Sequence, residues 1–408
     1  MLLFIRLAWR NMFRNKRRTI IAGIAIGMGL ASLIFVDALW IGMEQNMIKS
    51  ATASFLGEGQ IHQENYRQTQ EVSDTIRNLS KIKESLDQEQ IVQNYTLRVF
   101  AMGMITSPAN VQSVRFSAVE PSTEKNLSQL DEAIVEGSFF EGKSERDLLI
   151  GKDLAEILEV GLGDRVVVTV AQVETGDLSQ EMFRISGIYY FNIQEMDRLM
   201  AFARLSKAQE MLGIGNEAHE IAIKFVHSEF GRDKNLSFWD KYSQNGNEAV
   251  GWTTLLPQLE AVFELSQFST LITALILFGV VALGIINTLF MSIHERMFEF
   301  GVIRAVGTRP LNVSRLILFE AASLAVLSII LGNILGFLIT FITSRIGIDY
   351  TGIEFVGVTF RELLYPKITL TQFIIYPIWV FIFTLIAGIY PAIYAARMSP
   401  AQALHKSM

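Results

Sequence analysis

Residues 137–144 read Gly-Ser-Phe-Phe-Glu-Gly-Lys-Ser and satisfy the expression G-x-x-x-x-G-K-[ST]. In a true P-loop the glycines and backbone amides of that pattern cradle nucleotide phosphates. The surroundings oppose such chemistry. Phe139 and Phe140 fill a loop that would have to wrap closely round phosphate, and Ser144 leads into Glu145-Arg146-Asp147 and a strand-like Leu148-Leu149-Ile150. A surface turn between two short strands accounts for the same residues. The five histidines, His62, His219, His227, His294 and His405, are too scattered for an H-E-x-x-H zinc site, and no G-x-S-x-G elbow occurs. The absence of cysteine removes disulfides, thiolate metal sites and a cysteine nucleophile, while an oxidising compartment stays open. Catalysis by this chain has little to stand on.

The elements that carry these residues fall into two regimes. Of 408 residues, half are hydrophobic and 19% charged, the net charge is −6 and the mean hydropathy is +0.32, too apolar for a wholly soluble enzyme. Long uncharged stretches near both ends bracket a polar centre. Four of them, at 19–40, 268–293, 317–343 and 373–394, can each cross a bilayer, since about 22 residues rising ~1.5 Å each cover ~33 Å of a ~30 Å hydrocarbon core. Arg6, Arg10, Arg14, Lys16, Arg17 and Arg18 precede the first span unbalanced by any acid, so the positive-inside rule puts the leading segment 1–18 in the cytoplasm. Arg296, Arg304, Arg309 and Arg315 in the 294–316 loop, and Arg397 and Lys406 in the 395–408 tail, return to the same side. A cleaved signal peptide ending at Ala51-Thr52-Ala53 is the rival reading. Its apolar run is about twice the usual length, and Glu44 and Lys49 lie before the cut, so an uncleaved anchor fits better.

The expected fold is therefore an α-helical membrane protein with four transmembrane helices and a large α+β extracytoplasmic domain, 41–265, between helices 1 and 2; 344–372 forms a smaller outer loop. Alternation and turn residues predict strands at 92–99, 111–118, 165–171, 182–188 and 220–226, and helices at 154–158 and 206–212. Composition breaks at 121–127 and 213–217 suggest a subdomain, 119–215, inserted into a discontinuous one.

Within the membrane, Asp37 near the outer end of the first span costs roughly a kcal/mol or more, which snorkelling to the interface would relieve. Glu320 lies early in the third span, where a partner on a neighbouring helix would satisfy it. Gly23, Gly27, Gly332 and Gly336 form small-xxx-small faces suited to close helix contact. In the loop between spans two and three, Arg296, Phe300 and Arg304 recur at i, i+4 and i+8, a basic stripe round an aromatic knob, while Phe298, Val302 and Ala305 line another face. Gly307 can end this helix and Pro310 open the next. The pattern fits a docking knob for a partner and equally a membrane-surface helix joining two spans. Ser399 can cap a short terminal helix that starts at Pro400.

Three motifs in order, LAWRNMFRNKRRT before the first span, ERMFEFGVIRAVGTRP after the second and YPAIYAARMSPAQAL at the fourth, make the chain resemble the FtsX-like, MacB/LolE-superfamily permeases of ABC transporters, the type VII exporters. The likeness covers nearly the whole chain. LLIGKDLAEILEVGLGDRVVV with FRISGIYY is similar to that family's inserted extracytoplasmic subdomain, and GQIHQENY resembles the lipoprotein-releasing LolC/LolE branch. The resemblance implies a porter-like subdomain at 41–118 and 216–265. It also implies that Glu295, Arg296, Glu299, Phe300, Gly301, Arg304 and Gly307 couple to a cytosolic ABC ATPase dimer, a separate chain that would hold the ATP and Mg. This chain itself would bind no cofactor. A second permease subunit, identical or paralogous, is implied as well. The expected role is mechanical: ATPase motion passes through the second span and its 252–268 extension to an outer domain that extracts lipoproteins from the inner (cytoplasmic) membrane, both termini being cytoplasmic and the large domain periplasmic. Trp40, Met43, Met47, Phe263 and Phe268 would contact acyl chains or anchor the interface; membrane lipids are partners and nucleic acid is not. A tripartite-efflux permease for peptides or small amphiphiles, and a transmembrane scaffold activating an extracytoplasmic enzyme, remain the alternatives.

Overall fold

The computed structural model describes residue 10 and residues 16–141, 144–173, 175–355, 358–360 and 362–398. Helix α1 (Lys16–Ala51) ends in a π-helical turn, Thr52–Leu56. There follow β1 (Gly59–Gln63), α2 (Tyr66–Thr69), α3 (Leu79–Leu86), β2 (Val92–Thr106), β3 (Val111–Val119), α4 (Pro121–Glu124), β4 (Ile134–Gly137) and β5 (Asp147–Gly151). Next come α5 (Lys152–Leu158), β6 (Arg165–Ala171), β7 (Leu178–Tyr189), α6 (Gln194–Leu199), β8 (Met200–Arg204), α7 (Leu205–Leu212), β9 (Glu220–Phe225), α8 (Ser237–Tyr242), β10 (Asn247–Gly251) and α9 (Trp252–Leu255). The chain closes with α10 (Pro257–Glu295), α11 (Met297–Ala305), α12 (Pro310–Ile346), a hairpin of β11 (Glu354–Phe355) and β12 (Val358–Thr359), and α13 (Gln372–Arg397). Contacts divide these into two units. One holds Met1–Gln45, Phe263–Asp349 and Leu363–Met408; the other holds Asn46–Val262 and Tyr350–Glu362.

In the globular unit β1 to β10 form a ten-stranded sheet in the order β10-β1-β9-β2-β3-β8-β5-β7-β4, with β6 paired to both β2 and β7, while β11 and β12 pair only with each other. The β3/β8 and β5/β7 pairs are parallel and the others antiparallel. The sheet runs without a break across the expected internal boundaries, since β3 pairs with β8 and β2 with β6. Alternating side chains of β2, β3, β6 and β7, among them Val99, Ile105, Phe116, Val168 and Phe183, fill one large core. A smaller core has its buried residues, among them Val119, Leu130, Phe140, Tyr189, Phe191 and Phe202, within 119–202, and Phe55 packs against it from outside that range. β2 runs on to Thr106, past the expected end at Val99, because its second half pairs with β6 and its first with β9. No local pattern in β2 announces that change of neighbour.

Among the described residues, four helices are long and apolar enough to cross a membrane. At ~1.5 Å per residue the 39 residues of α10 measure ~58 Å and the 36 of α1 ~54 Å, well beyond a ~30 Å hydrocarbon core. Both helices continue past their apolar windows, which end where amphipathic turns begin. α1 and α12 meet at glycines: a Cβ on Gly332 would lie 2.8 Å from the Gly27 carbonyl oxygen, and one on Gly336 would lie 3.1 Å from the Ile34 side chain. Gly27 faces the backbone of Ser328 and Gly332, while Gly23 meets the Leu327 and Leu331 side chains. Nearer its other end, α1 is crossed by the segment entering α13. The Lys367 N–H donates to the Ala38 carbonyl at 2.9 Å, and the Tyr365 carbonyl presses on Gly42 where any side chain would collide with it.

Candidate functional site

Helix α10 stops at Glu295 because Arg296 leaves the helical conformation (φ −112°, ψ 17°), and α11 starts one residue later. Gly307, at φ +98°, ends the helical path after Ala305, and Pro310 occupies the first turn of α12, where its missing N–H is harmless. The Arg296 side chain turns inward. Its Nη1 lies 3.3 Å from Glu320 Oε2 on α12, and its Nε donates to Glu299 Oε2 at 3.0 Å. Ser292 on α10 donates to Glu320 Oε1 at 3.1 Å, and the guanidinium lies over the Phe300 ring at 5.1 Å. Arg296, Ser292 and Glu320 are all buried, so one polar cluster ties α10, α11 and α12 together inside an apolar bundle.

This corrects the picture of Phe300 as a protruding knob. Its ring is 2% exposed and belongs to the bundle core with Ile293, Val313, Ile317 and Ala321. Phe300 faces inward because Arg296, one turn earlier on the same stripe, must reach Glu320. The free face of α11 instead presents Phe298 (52% exposed), Val302, Ile303 and Val306. Gly301 is buried, Arg304 and Glu299 are half-buried, and Glu295 and Gly307 are exposed. Asp37 is likewise not left to snorkel: Gln372, at the start of α13 and 2% exposed, donates to its Oδ2 at 2.8 Å, and the Tyr376 hydroxyl donates to it as well. The carboxylate is therefore satisfied between α1 and α13.

A second polar cluster, with no motif in the sequence to mark it, lies inside the globular unit. Arg98 is completely buried on β2; its Nη2 and Nε bond Glu124 on α4 at 2.7 and 3.0 Å, and its Nη1 bonds Glu220 on β9 at 2.8 Å. The sheet register sets Arg98 opposite Glu220 and sets Glu248 opposite His62, whose Nε2 lies 3.5 Å from Glu220 Oε2. Acid and base therefore alternate across β10, β1, β9 and β2. Burial works against the charge of Arg98, but Glu124 and Glu220 push its pKa above the ordinary value. Burial likewise opposes ionisation of Glu220, and the His62 and Arg98 hydrogen bonds outweigh it, holding this carboxyl below the usual range. The neighbouring His219 ring is stacked on Tyr66 at 5.2 Å; its Nδ1 accepts the Phe100 N–H, and its Nε2 lies 2.9 Å from the Val72 carbonyl. Burial pushes the pKa of His219 down, so the ring is held neutral with the proton on Nε2. The signal available beforehand was a charged residue in an otherwise apolar strand, Leu97-Arg98-Val99-Phe100.

Among the candidate cargo contacts, Phe268 is 66% exposed, Trp40 and Met43 are half-buried, and Met47 and Phe263 are buried at 1% and 3%. The described residues of 137–144 do not build a phosphate cradle. Gly137 ends β4, Phe140 is buried in the smaller core, and the next element is strand β5 instead of a helix whose amides could face phosphate. Gly142 and Lys143 lie outside the described residues, as do Arg6, Arg14, Ser399, Pro400 and Lys406. Among the described residues no three His, Asp or Glu side chains converge as metal ligands.

A family model for the MacB-like periplasmic core domain matches residues 19–229, and one for the FtsX-like permease C-terminal region matches 271–400. The lipoprotein-releasing system transmembrane protein LolE of Haemophilus influenzae is 21% identical over 419 residues, covering 98% of each chain. LolC of Xylella fastidiosa is 22% identical over 316 residues, 72% of this chain and 73% of its own. The macrolide export ATP-binding/permease protein MacB of Psychrobacter arcticus is 22% identical over 417 residues, which is 96% of this chain and 58% of that longer one. Among solved structures, the periplasmic region of MacB from Actinobacillus actinomycetemcomitans overlaps 51% of the chain at a TM-score of 0.35 and 11% identity. With the core model spanning more than half of its residues and the permease model most of its last third, the chain belongs to the FtsX-like, MacB/LolC/LolE family of ABC transporter permeases.

Proposed function

We propose that the chain is a mechanical permease subunit: a separate cytosolic ATPase dimer, holding ATP and Mg, docks on α11, and its strokes move the periplasmic unit to extract lipoproteins from the inner membrane. The observation that carries the cargo reading is the end-to-end match to a lipoprotein-releasing LolE, 98% of both chains. The polar cluster round Glu320 supports the mechanical reading, because a helix pinned to α10 and α12 by buried groups passes on a push instead of absorbing it. Both termini are then cytoplasmic, with α1 and α10 as the long connections to the periplasmic unit. Four helices are too few to enclose a route, so a second permease subunit completes the assembly.

Docking engages the free face of α11, with Phe298, Val302 and Val306 supplying apolar area and Glu295 and Arg304 supplying register. Phe268, open on α10, is the side chain best placed to meet an acyl chain; Met47 and Phe263 would have to repack first. The test is release of a triacylated lipoprotein from proteoliposomes holding the complete complex. ATP-dependent transfer to a soluble acceptor is expected. Stimulation of ATP turnover only by small amphiphiles, as the match to a macrolide export MacB would allow, refutes the lipoprotein reading.

A further inference from the structure

Where α1 ends, the chain makes a feature rare in proteins. Residues Thr52–Leu56 form one π-helical turn, closed by the Gly57 N–H donating to the Thr52 carbonyl at 2.8 Å; such turns concentrate at functional positions. The turn is tied down on several sides. The Ala53 carbonyl accepts the Gln129 N–H at 2.8 Å, and the next residue but four, Glu58, accepts the Trp252 N–H on its own carbonyl at 3.1 Å. Trp252 opens α9, the segment that leads back toward α10. The two connections between the globular unit and the long helices are thus linked to each other at Glu58.

Phe55 projects from this turn into the sheet. Its ring meets Phe202 on β8 edge-on at 5.0 Å and Phe100 on β2 at 6.2 Å, and the Arg98 guanidinium covers its face at 3.7 Å. The cluster that holds Arg98 binds β2 to β9 through Glu220 and to α4 through Glu124. Buried ion pairs add little net stability against apolar replacements of similar shape, so stability alone gives no reason for a fully buried arginine here. Its geometry does. A planar cation stacked on a ring fixes the ring's orientation, and two carboxylates fix the cation.

We propose that Phe55 and Arg98 form a force-transmitting joint, Phe55 as the pin carried by α1 and Arg98 as the positioning residue that seats it, so that displacement of α1 reaches β2, β8, β9 and α4 together. This rests on the permease reading above, and its test does not use the cargo. The chain has no cysteine, so nitroxide pairs can be placed in the full chain assembled with its ATPase and second subunit. One pair, at Gln45→Cys and Glu195→Cys, reports the joint; another, at Glu195→Cys and Ile330→Cys, reports movement of the globular unit against the bundle. All three sites are exposed.

With Phe55 intact, ATP is expected to shift the second distance and leave the first unchanged. Phe55→Ala is expected to keep ATP hydrolysis within about twofold while reducing the second shift by about half or more and broadening the first distance. Phe55→Trp, which preserves a ring under the guanidinium, is expected to behave as the parent, and Arg98→Met as Phe55→Ala. An undiminished shift in Phe55→Ala overturns the joint. Equal loss of shift and of thermal stability in the Ala and Trp variants assigns Phe55 to folding alone and overturns it too. No ATP-driven shift in the parent refutes the mechanical permease reading and the joint with it, whereas failure to release lipoprotein in a complex that does shift refutes the cargo reading only.

Discussion

Removing either member of the Arg296–Glu320 pair should uncouple ATP hydrolysis from work. Two unit charges 3.3 Å apart attract by about 5 kcal/mol at an effective dielectric near 20. Desolvation takes back much of this, yet removing one partner strands the other, which typically costs about 3–5 kcal/mol. Arg296 would keep Glu299 at 3.0 Å and Glu320 would keep Ser292 at 3.1 Å, so the lower end, about 3 kcal/mol, is the better expectation. The pairwise coupling measured by a cycle of Arg296→Gln, Glu320→Gln and the double variant should be about 2 kcal/mol, a factor of roughly 30 in an equilibrium. Each single variant is therefore expected to lower cargo released per ATP hydrolysed by about tenfold or more, with the double variant about 2 kcal/mol less impaired than the two single effects added together. The assay is paired: phosphate production and cargo release by the reconstituted complex, with the melting temperature in detergent as a control. Additive effects in the double variant, or single variants with unchanged release per ATP, would refute the assignment of this pair as the tie between α11 and the bundle.

Phe298→Ala should leave the melting temperature close to the parent, as for other surface changes, and weaken ATPase capture, whereas Phe300→Ala should destabilise the chain by about 3–5 kcal/mol; pull-down and melting curves separate the two. Gly332→Ala forces a Cβ against the Gly27 carbonyl and should cost about 1–3 kcal/mol in thermal unfolding, while Gly284→Ala, with open space around it, should be neutral or stabilising by up to about 1 kcal/mol. Stability of the globular unit should fall as pH drops below the ordinary histidine value of 6.5, because buried His219 resists the proton that the unfolded chain takes up, so unfolding binds protons. Amide exchange at Phe100 across that pH range would report it, and His219→Gln should flatten the dependence. A slope of opposite sign would refute the neutral-ring assignment.

Apolar runs are local, so the four spans were readable from hydropathy, as were strands such as 165–171, whose alternation completes itself within a few residues. The long helices were read short because residues 41–51 and 257–267 carry polar side chains that a hydropathy window rejects, though helical backbone runs through them. Sheet order was not readable. The placing of β6 beside β2 depends on residues more than sixty positions apart meeting across the core, with nothing local to signal it. At α11 the sequence offered two aromatic stripes, Phe300 and Phe298, and the choice of which faces inward belongs to Glu320, on another helix. Phe55 carries no local signal for the same reason: its meaning comes from Arg98, which lies beyond β1, α2 and α3.

The contact of Tyr365 on Gly42 restricts the ways α1 can travel. Turning the helix like a screw by one residue, about 1.5 Å along its axis with about 100° of rotation, would bring Ile41 or Met43 to the place where only a hydrogen fits, and the Lys367 bond to Ala38 would break. Screw motion against this collar is thereby blocked. What stays open to α1 is tilting in company with the 363–367 segment, so α1 and the base of α13 should swing as one body about this bearing.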